Sequence, residues 1–409
     1  MFEKLKNAVL KPRIQNAESK AYSLTDHGIH EVFGIRPTYT GINVSGVSGL
    51  YIPAVLQAVR IISENIGSVP CKVFYETKNG KEPAKDHTAY RITHKRANDW
   101  TSAGKIRIDL TVDALIHGNG FARVIRYPDD NRPYSLERIE PSKVQVLEDT
   151  NTGAPVYRVS EKSGLRDYHF TDILHLPSFL GKSPISFGKE AIGLAAVLER
   201  HGAQFFGTGA RPSGVLTNEK PQSGEAGVNT ITNILKSFRK WQNGANSDPL
   251  ALDSGWQYKQ EAMASTDAQF LENRVFQINE IARVFGIPPH LLFELSRATW
   301  SNAETMGASF LQLCLRPWLD RWQDAYATVL LTEDEQDTHY FEFVVDDLLR
   351  ADTAARTANM TALVTNRIMT PNEIRGILNL QPLSGGDELI NPHTTSNTAP
   401  TPEAEETPE

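Results

Sequence analysis

The chain has 409 residues, 40% of them hydrophobic and 22% charged, which is the make-up of a folded globular protein long enough for two or more lobes. Its net charge of −7, from 42 basic against 49 acidic residues, argues against a conventional DNA-binding domain, though not against a protein that surrounds DNA without gripping it. Cys71 and Cys314 lie far apart and support neither a disulfide framework nor a zinc site, and the longest apolar run, Ala191–Leu198, is far short of the roughly 20 residues of a bilayer span.

The N-terminus mixes basic and apolar residues without the apolar core of a secretory signal, so a mature cytosolic chain is the default expectation. Residues 1–50 read as a short basic helix at most, followed by a loose arm. The first firm element is "PAVLQAVRIISENIGSVP", where Val55, Leu56, Val59, Ile62 and Ile66 recur at helical spacing, Pro53 suits the first turn, and Gly67 with Pro70 gives a stop. "CKVFYETKNGKEP" then predicts a strand with an Asn-Gly turn at 79–80. A second helix covers about 103–117 on Ile106, Leu110 and Ala114, and ends in "HGNG". Short strands follow at "FARVIRY", "KVQVLED", "VYRVS" and "DILHL", with turns at "PDDNRP" and "NTGAP". The first half is therefore an α+β lobe.

From 184 the pattern becomes helical. Phe187, Ala191, Leu194, Ala195, Leu198 and Phe205 form one apolar stripe, with Lys189, Glu190, Glu199 and Arg200 away from it. A second long helix runs from about Asp267, as N-cap, to Phe285, on Leu271, Val275, Ile278, Ala282 and Phe285, and stops at Gly286 and Pro288. Between them, 207–264 contains "GVLT", a helix at about 225–241, and a strand pair of "PLALD" with "WQYKQEA" around Ser254-Gly255. Two long helices that leave and re-enter one lobe, with a small α/β unit between, describe a stalk with a foot.

The longest periodic run is 302–331, with Leu311, Leu315, Trp318, Trp322, Ala325 and Val329 on one face. Pro317 removes one of its hydrogen bonds and clashes with the carbonyl four residues back, which predicts a kink near 313–317. Ahead of it, "SNAE" (301–304) spells a capping box between Ser301 and Glu304. Residues 351–390 predict two or three short helices, one starting at "TPNE" with Thr370 as cap, Pro371 in the first turn and Glu373 closing the box, before "SGGDE" breaks the pattern. The acidic, proline-rich end "TAPTPEAEETPE" is expected to be disordered.

Catalytic motifs are missing. "FGTGARPSG" (206–214) lacks the Lys-Ser/Thr pair of a phosphate loop, and "HGNG" reads as helix termination. His117, His175, His201 and His290 stand isolated among apolar neighbours, the setting of structural histidines. "VVDDLL" (344–349) offers paired carboxylates, more often a solvated face than a metal site. No cofactor or metal is expected, and a structural role is favoured over catalysis. Two alternatives stay open: a metal-dependent nucleic-acid-processing enzyme using Asp346 and the loop arginine, and a scaffold or adaptor without a DNA channel.

Eight segments in one order resemble the portal proteins of long-tailed double-stranded DNA phages: "HGNGFARVIR" (117–126), "LERIEPSKVQV" (136–146), "DILHLPSF" (172–179), "GKSPISFGKEAIGLA" (181–195), "FFGTGARPSGVL" (205–216), "NEIARVFGIPPHLL" (279–292), "SRATWSNAE" (296–304) and "LRPWLDRW" (315–322). The resemblance implies an α+β, elongated portal fold with an α+β wing, a paired-helix stem, a small α/β clip and a helical crown, assembled as a ring, typically a dodecamer. Mapped on this chain it gives an arm over 1–24, wing over 25–183, stem over 184–206 and 266–286, clip over 207–265, tunnel loop and kinked wing helix over 287–350, crown over 351–390 and a disordered tail over 391–409. Implied partners are double-stranded DNA passing without sequence specificity, the terminase large subunit, the major capsid or scaffold protein and a head-tail adaptor, with no membrane. The implied place is the capsid vertex of the virion, reached from the host cytoplasm during assembly. The tunnel loop would comprise Phe293, Glu294, Leu295, Ser296, Arg297, Ala298, Thr299 and Trp300, with Ser301 starting the helix. Lys182, Lys189, Arg274 and Arg297 are candidate channel charges; an ordinary solvated or intersubunit charge is the plain alternative for each.

Overall fold

Helical periodicity beginning at Pro53 becomes the helix around which the first half of the chain is organised. The structure, a computed structural model, describes residues 17–18, 38–77, 80–207, 214–218, 229, 231–237, 256–260, 266–294, 307, 309–345, 353–378 and 380–389. It divides into two compact units, Met1–Val345 and Asp346–Glu409.

In the first unit a two-residue strand β1 (Ala17–Glu18), where only a loose arm was expected, precedes the short helix α1 (Gly46–Gly49) and helix α2 (Pro53–Ser68). Val55, Val59, Ile62 and Ile66 of α2 are buried as the spacing predicts, but Leu56 is 51% exposed. At 3.6 residues per turn Leu56 sits about 100° round from Val55, off the buried face. Strands β2 (Cys71–Thr77) and β3 (Gly80–Pro83), a turn of helix α3 (Thr88–Tyr90) running on as a π turn (Arg91–Lys95), and helix α4 (Ala103–His117) follow. Ser102 caps α4 by accepting from the Lys105 N–H, and Gly118, at φ +92°, ends it.

Six strands come next: β4 (Asn119–Arg126), β5 (Pro133–Ile139), β6 (Val144–Asp149), β7 (Pro155–Glu161), β8 (Gly164–His169) and β9 (Ile173–Pro177). Four were legible; β5 and β8 were not, being edge strands rich in charge. What fixes β8 is tertiary: Arg158 of β7 holds Asp167 through two bonds of 2.7 and 2.8 Å.

The segment expected as one helix over 184–206 is two, α5 (Pro184–Phe187) and α6 (Lys189–Gly207), broken at Gly188. After β10 (Gly214–Asn218), a helical stretch over 231–237 and β11 (Trp256–Gln260), helix α7 (Thr266–Phe285) returns. The break has a steric cause: a Cβ at Gly188 would lie 2.7 Å from Val284 Cγ1, so α7 reaches the chain only where there is no side chain. Helix α7 starts at Thr266, one residue ahead of the expected cap Asp267, and Gly286 follows its end at φ +67°. β11 pairs with β10, Val215 opposite Lys259; the expected partner "PLALD" lies outside the described residues. Helix α8 (Arg316–Leu330), α9 (Glu333–Gln336) and β12 (His339–Phe343) complete the unit. The "SNAE" box lies outside the described residues.

All sheets are antiparallel, in the orders β12-β2-β3, β5-β4-β9, β1-β6-β7-β8 and β10-β11. Helices α2 and α4 cross where Gly67 meets Gly104; a Cβ on Gly104 would stand 2.7 Å from the Gly67 carbonyl oxygen. Beside this crossing, buried Arg107 donates to the carbonyls of Thr93 (2.8 Å), Val69 (3.0 Å), Gly67 (3.1 Å) and Ile66 (3.3 Å). Three of these are at the C-terminal end of α2, where the helix dipole favours a cation. Trp322 of α8, fully buried, donates from its indole to Thr111 of α4 at 3.1 Å. Leu315, Trp318, Trp322 and Val329 form the buried face of the last long helix, with Leu311 and Ala325 half-buried.

The second unit holds α10 (Thr353–Thr365) and α11 (Pro371–Ile377). The capping box at "TPNE" is formed: Thr370 accepts from the Glu373 N–H at 3.2 Å and Glu373 accepts from the Thr370 N–H at 2.8 Å. Asn372 pins the following loop, accepting from the Leu383 N–H at 2.8 Å and donating to the Leu383 carbonyl at 2.9 Å.

Candidate functional site

The paired helices α6 and α7 pack where Gly202 admits Phe270, whose ring edge would be 3.1 Å from a Cβ at that glycine. The two expected stripes are only partly covered. On α7, Ala282 and Phe285 are buried, but Leu271 is 63% exposed, and Val275 and Phe276 also face out. On α6 and just before it, Leu194 and Phe187 are exposed, while Ile192 and Gly193 are buried instead. Within one chain, α6 supplies a partner on one side of α7 only, so apolar side chains on the other sides remain in water. Exposed apolar side chains on both helices are the kind of surface that another protein covers.

Helices α2, α6 and α7 meet a 3-10 turn, Pro289–Leu292, around a cavity of about 310 Å³. Ile52, Leu198, Ile281 and Leu292 line it, with Arg274 and Phe293 also in its wall. Gln277, which also lines it, is buried, and its side-chain oxygen, closed off from solvent, has no hydrogen-bond donor among the described residues.

Of the residues singled out in the sequence, Phe293 stands at the end of the 3-10 turn at φ +62° and is strongly exposed, and Glu294 is half-buried. Leu295, Ser296, Arg297, Ala298, Thr299 and Trp300 lie outside the described residues. Lys182 is exposed just ahead of α5, Lys189 is the half-buried first residue of α6, and Arg274 is exposed on α7. The structure thus brings Arg274 and Phe293 to one cavity. Pro317 follows a π turn, Leu311–Leu315, in which the Arg316 N–H donates to the carbonyl of Leu311, five residues back.

A second cluster was invisible to motif reading. Between β9 and α5 the turn at Ser178–Gly181 is tied to the "HGNG" corner: the Ser178 N–H donates to the Gly118 carbonyl (2.8 Å) and Asn119 Nδ2 to the Gly181 carbonyl (3.1 Å). Asn119 in turn meets His175 Nε2 at 2.8 Å, and Tyr157 meets His175 Nδ1 at 3.0 Å. His175 is therefore a hydrogen-bonded structural histidine, stacked on Phe121 and held by burial down to about 4. The one sequence signal was Leu180-Gly181, a pair that adopts left-handed backbone in succession, at φ +55° and +65°.

Among the described residues no group of three His, Cys, Asp or Glu side chains is placed to hold a metal, and no helix is long and apolar enough to cross a membrane. The paired acids of "VVDDLL" at 346–347 lie outside the described residues. Both cysteines are free and buried, and burial pushes each thiol up to about 12, which removes them from nucleophilic chemistry.

The chain is an α+β protein whose paired helices leave apolar side chains exposed. The sequence model described as phage portal protein matches residues 53–379, and the chain belongs to that family. It is 28% identical to the "Probable portal protein" of Streptomyces phage phiC31 over 397 residues, 92% of this chain and 84% of that one. It is 29% identical to the "Portal protein" of Enterobacteria phage HK97 over 350 residues, 83% and 81% of the two chains. Its fold matches a chain in the neck of the native gene transfer agent particle computed with C12 symmetry, with a TM-score of 0.56 at 21% identity, covering 83% of this chain and 94% of that one.

Proposed function

We infer that this portal subunit closes with copies of itself into a ring, twelve being the family's usual number, at one vertex of a phage capsid, and that double-stranded DNA enters during packaging and leaves at ejection through its channel. The carrying observation is the apolar surface that one chain leaves in water on α6 and α7, at Leu194, Leu271, Val275 and Phe276. Burying each such side chain contributes about 1.5–3 kcal/mol, and a ring repeats that gain at every interface. The C12 neck that contains a chain of the same fold supports the symmetry.

In this reading 184–206 and 266–286 form the stem, 207–265 the clip, 25–183 and 287–350 the wing, and 351–390 the crown. The role is structural, not catalytic. Phe293–Trp300 forms the tunnel loop, and Lys182, Lys189, Arg274 and Arg297 are candidates to face the DNA. A chain of net charge −7 builds an acidic ring, which suits a passage that must not hold phosphates. The terminase large subunit, the major capsid or scaffold protein and the head-tail adaptor are the partners, and the capsid vertex, after assembly in the host cytoplasm, is the place of work. Native mass measurement over a range of concentration and salt tests the ring: a single large closed species is expected, and a strict monomer under every condition contradicts it.

A further inference from the structure

In a ring of one repeated chain each copy meets its two neighbours through different surfaces, so the chain must carry a projection and a recess that fit each other. The turn at Ser178–Gly181 is a built projection. Its Gly181 N–H donates to the Ser178 carbonyl (2.9 Å) and the Lys182 N–H to the Phe179 carbonyl (3.1 Å), in addition to the two ties to the "HGNG" corner. Gly118 is obligatory there, since a Cβ would lie 2.5 Å from the Gly181 oxygen. What this bracing holds out is apolar: Phe179 is 64% and Leu180 74% exposed. Leu180 also bears a left-handed backbone at φ +55°, a strain that persists only where surrounding bonds impose it and that clusters at functional positions. Phe179 lies 6.2 Å, centroid to centroid, from the Phe187 ring, itself exposed, and among the described residues no hydrogen bond engages either side chain.

The recess is the cavity among α2, α6 and α7. It is apolar on Ile52, Leu198, Ile281 and Leu292 and has room for a large apolar side chain. Of the two exposed charges at the cavity wall, Arg274 opposes the basic residue beside the turn and Glu199 suits it. Lys182, next to the projecting turn, and Glu199, at the wall of the cavity, are both exposed, and neither has an ion-pair partner among the described residues.

We propose that in the ring the Phe179–Leu180 turn of one copy seats in the α2–α6–α7 cavity of the next, with Lys182 against Glu199. This rests on the ring reading above, and gives Lys182 an intersubunit role instead of a channel one.

The test is cross-linking of the full-length chain carrying Leu180→Cys with Glu199→Cys, treated with a short bis-maleimide after assembly, with rings counted by electron microscopy in the same sample. The native cysteines are buried with thiols pushed up to about 12, so only the introduced pair reacts. A ladder of linked subunits from the double variant, absent from either single variant, supports the contact. Rings that form but give no ladder overturn it and leave the ring reading intact; a wild-type chain that never forms rings overturns both. As a second measure, Lys182→Glu and Glu199→Lys should each weaken association about fivefold per contact, and the double swap should restore it; singles without effect contradict the pairing.

Discussion

The amide of Asn119 stands between His175, at 2.8 Å from its oxygen, and the Gly181 carbonyl, at 3.1 Å from its nitrogen. This order fixes every proton in the chain of bonds. Since Asn119 Nδ2 donates to Gly181, its Oδ1 must accept, so His175 carries its proton on Nε2 and takes the Tyr157 hydroxyl on Nδ1. A neutral imidazole is thus a strut between the β-sheet and the turn that precedes the paired helices.

Acid should loosen that strut. His175 is held down to about 4 in the folded chain, against about 6.5 when unfolded, because burial disfavours the charged ring. Between those values the unfolded chain binds the extra proton, so the contribution is complete above about pH 6.5 and is lost as pH falls toward 4, up to about 3 kcal/mol. Urea midpoints at pH 7 and pH 4.5 check this: His175→Phe should show a smaller difference between the two than the wild type. Asn119→Ala should cost about 1–3 kcal/mol at pH 7, because it leaves two partly buried groups, the His175 ring N–H and the Gly181 carbonyl, without their partner.

Leu180→Gly should act in opposite directions on the chain and on its assembly. It removes the left-handed strain of a branched residue and little buried area, so the isolated subunit should gain up to about 1 kcal/mol in urea titration. Ring formation, followed by light scattering on the same samples, should weaken.

Arg107→Leu leaves four carbonyls without their donor and should destabilise the first unit by about 4 kcal/mol. Arg107→Lys should recover only part of this, since a single ammonium has three donors and no fork. Chemical denaturation of the two variants gives the comparison.

Gly104→Ala drives a methyl against the Gly67 carbonyl and should cost about 2 kcal/mol by parting α2 from α4. The same change at Gly376, with open space around it, should cost nothing from contact and gain slightly in helix propensity, measured by thermal unfolding.

Legibility in the sequence followed the strength of local physics. The cap at Thr370, the left-handed stop at Gly118 and the stripe Ile106–Leu110–Ala114 each depend on residues within a few positions, and all were readable. The break at Gly188 depends on Val284, almost a hundred residues away, and no pattern near Gly188 announces it. Strand β8 needs the Arg158–Asp167 pair, and the partner of β11 is set by a closure over a long insert. The stripes of α6 and α7 were read correctly as apolar, but periodicity says only that a face is to be buried, not that another molecule must bury it. Phe179, Leu180 and the strut behind them gave no motif, because their geometry is made by Asn119 and His175 from distant strands.

End-on electron micrographs of the purified full-length protein test the central claim most directly. The account predicts closed rings of one cyclic symmetry with a central hole wide enough for a DNA duplex. Rings without such a hole, or no rings at any concentration or salt, would contradict it.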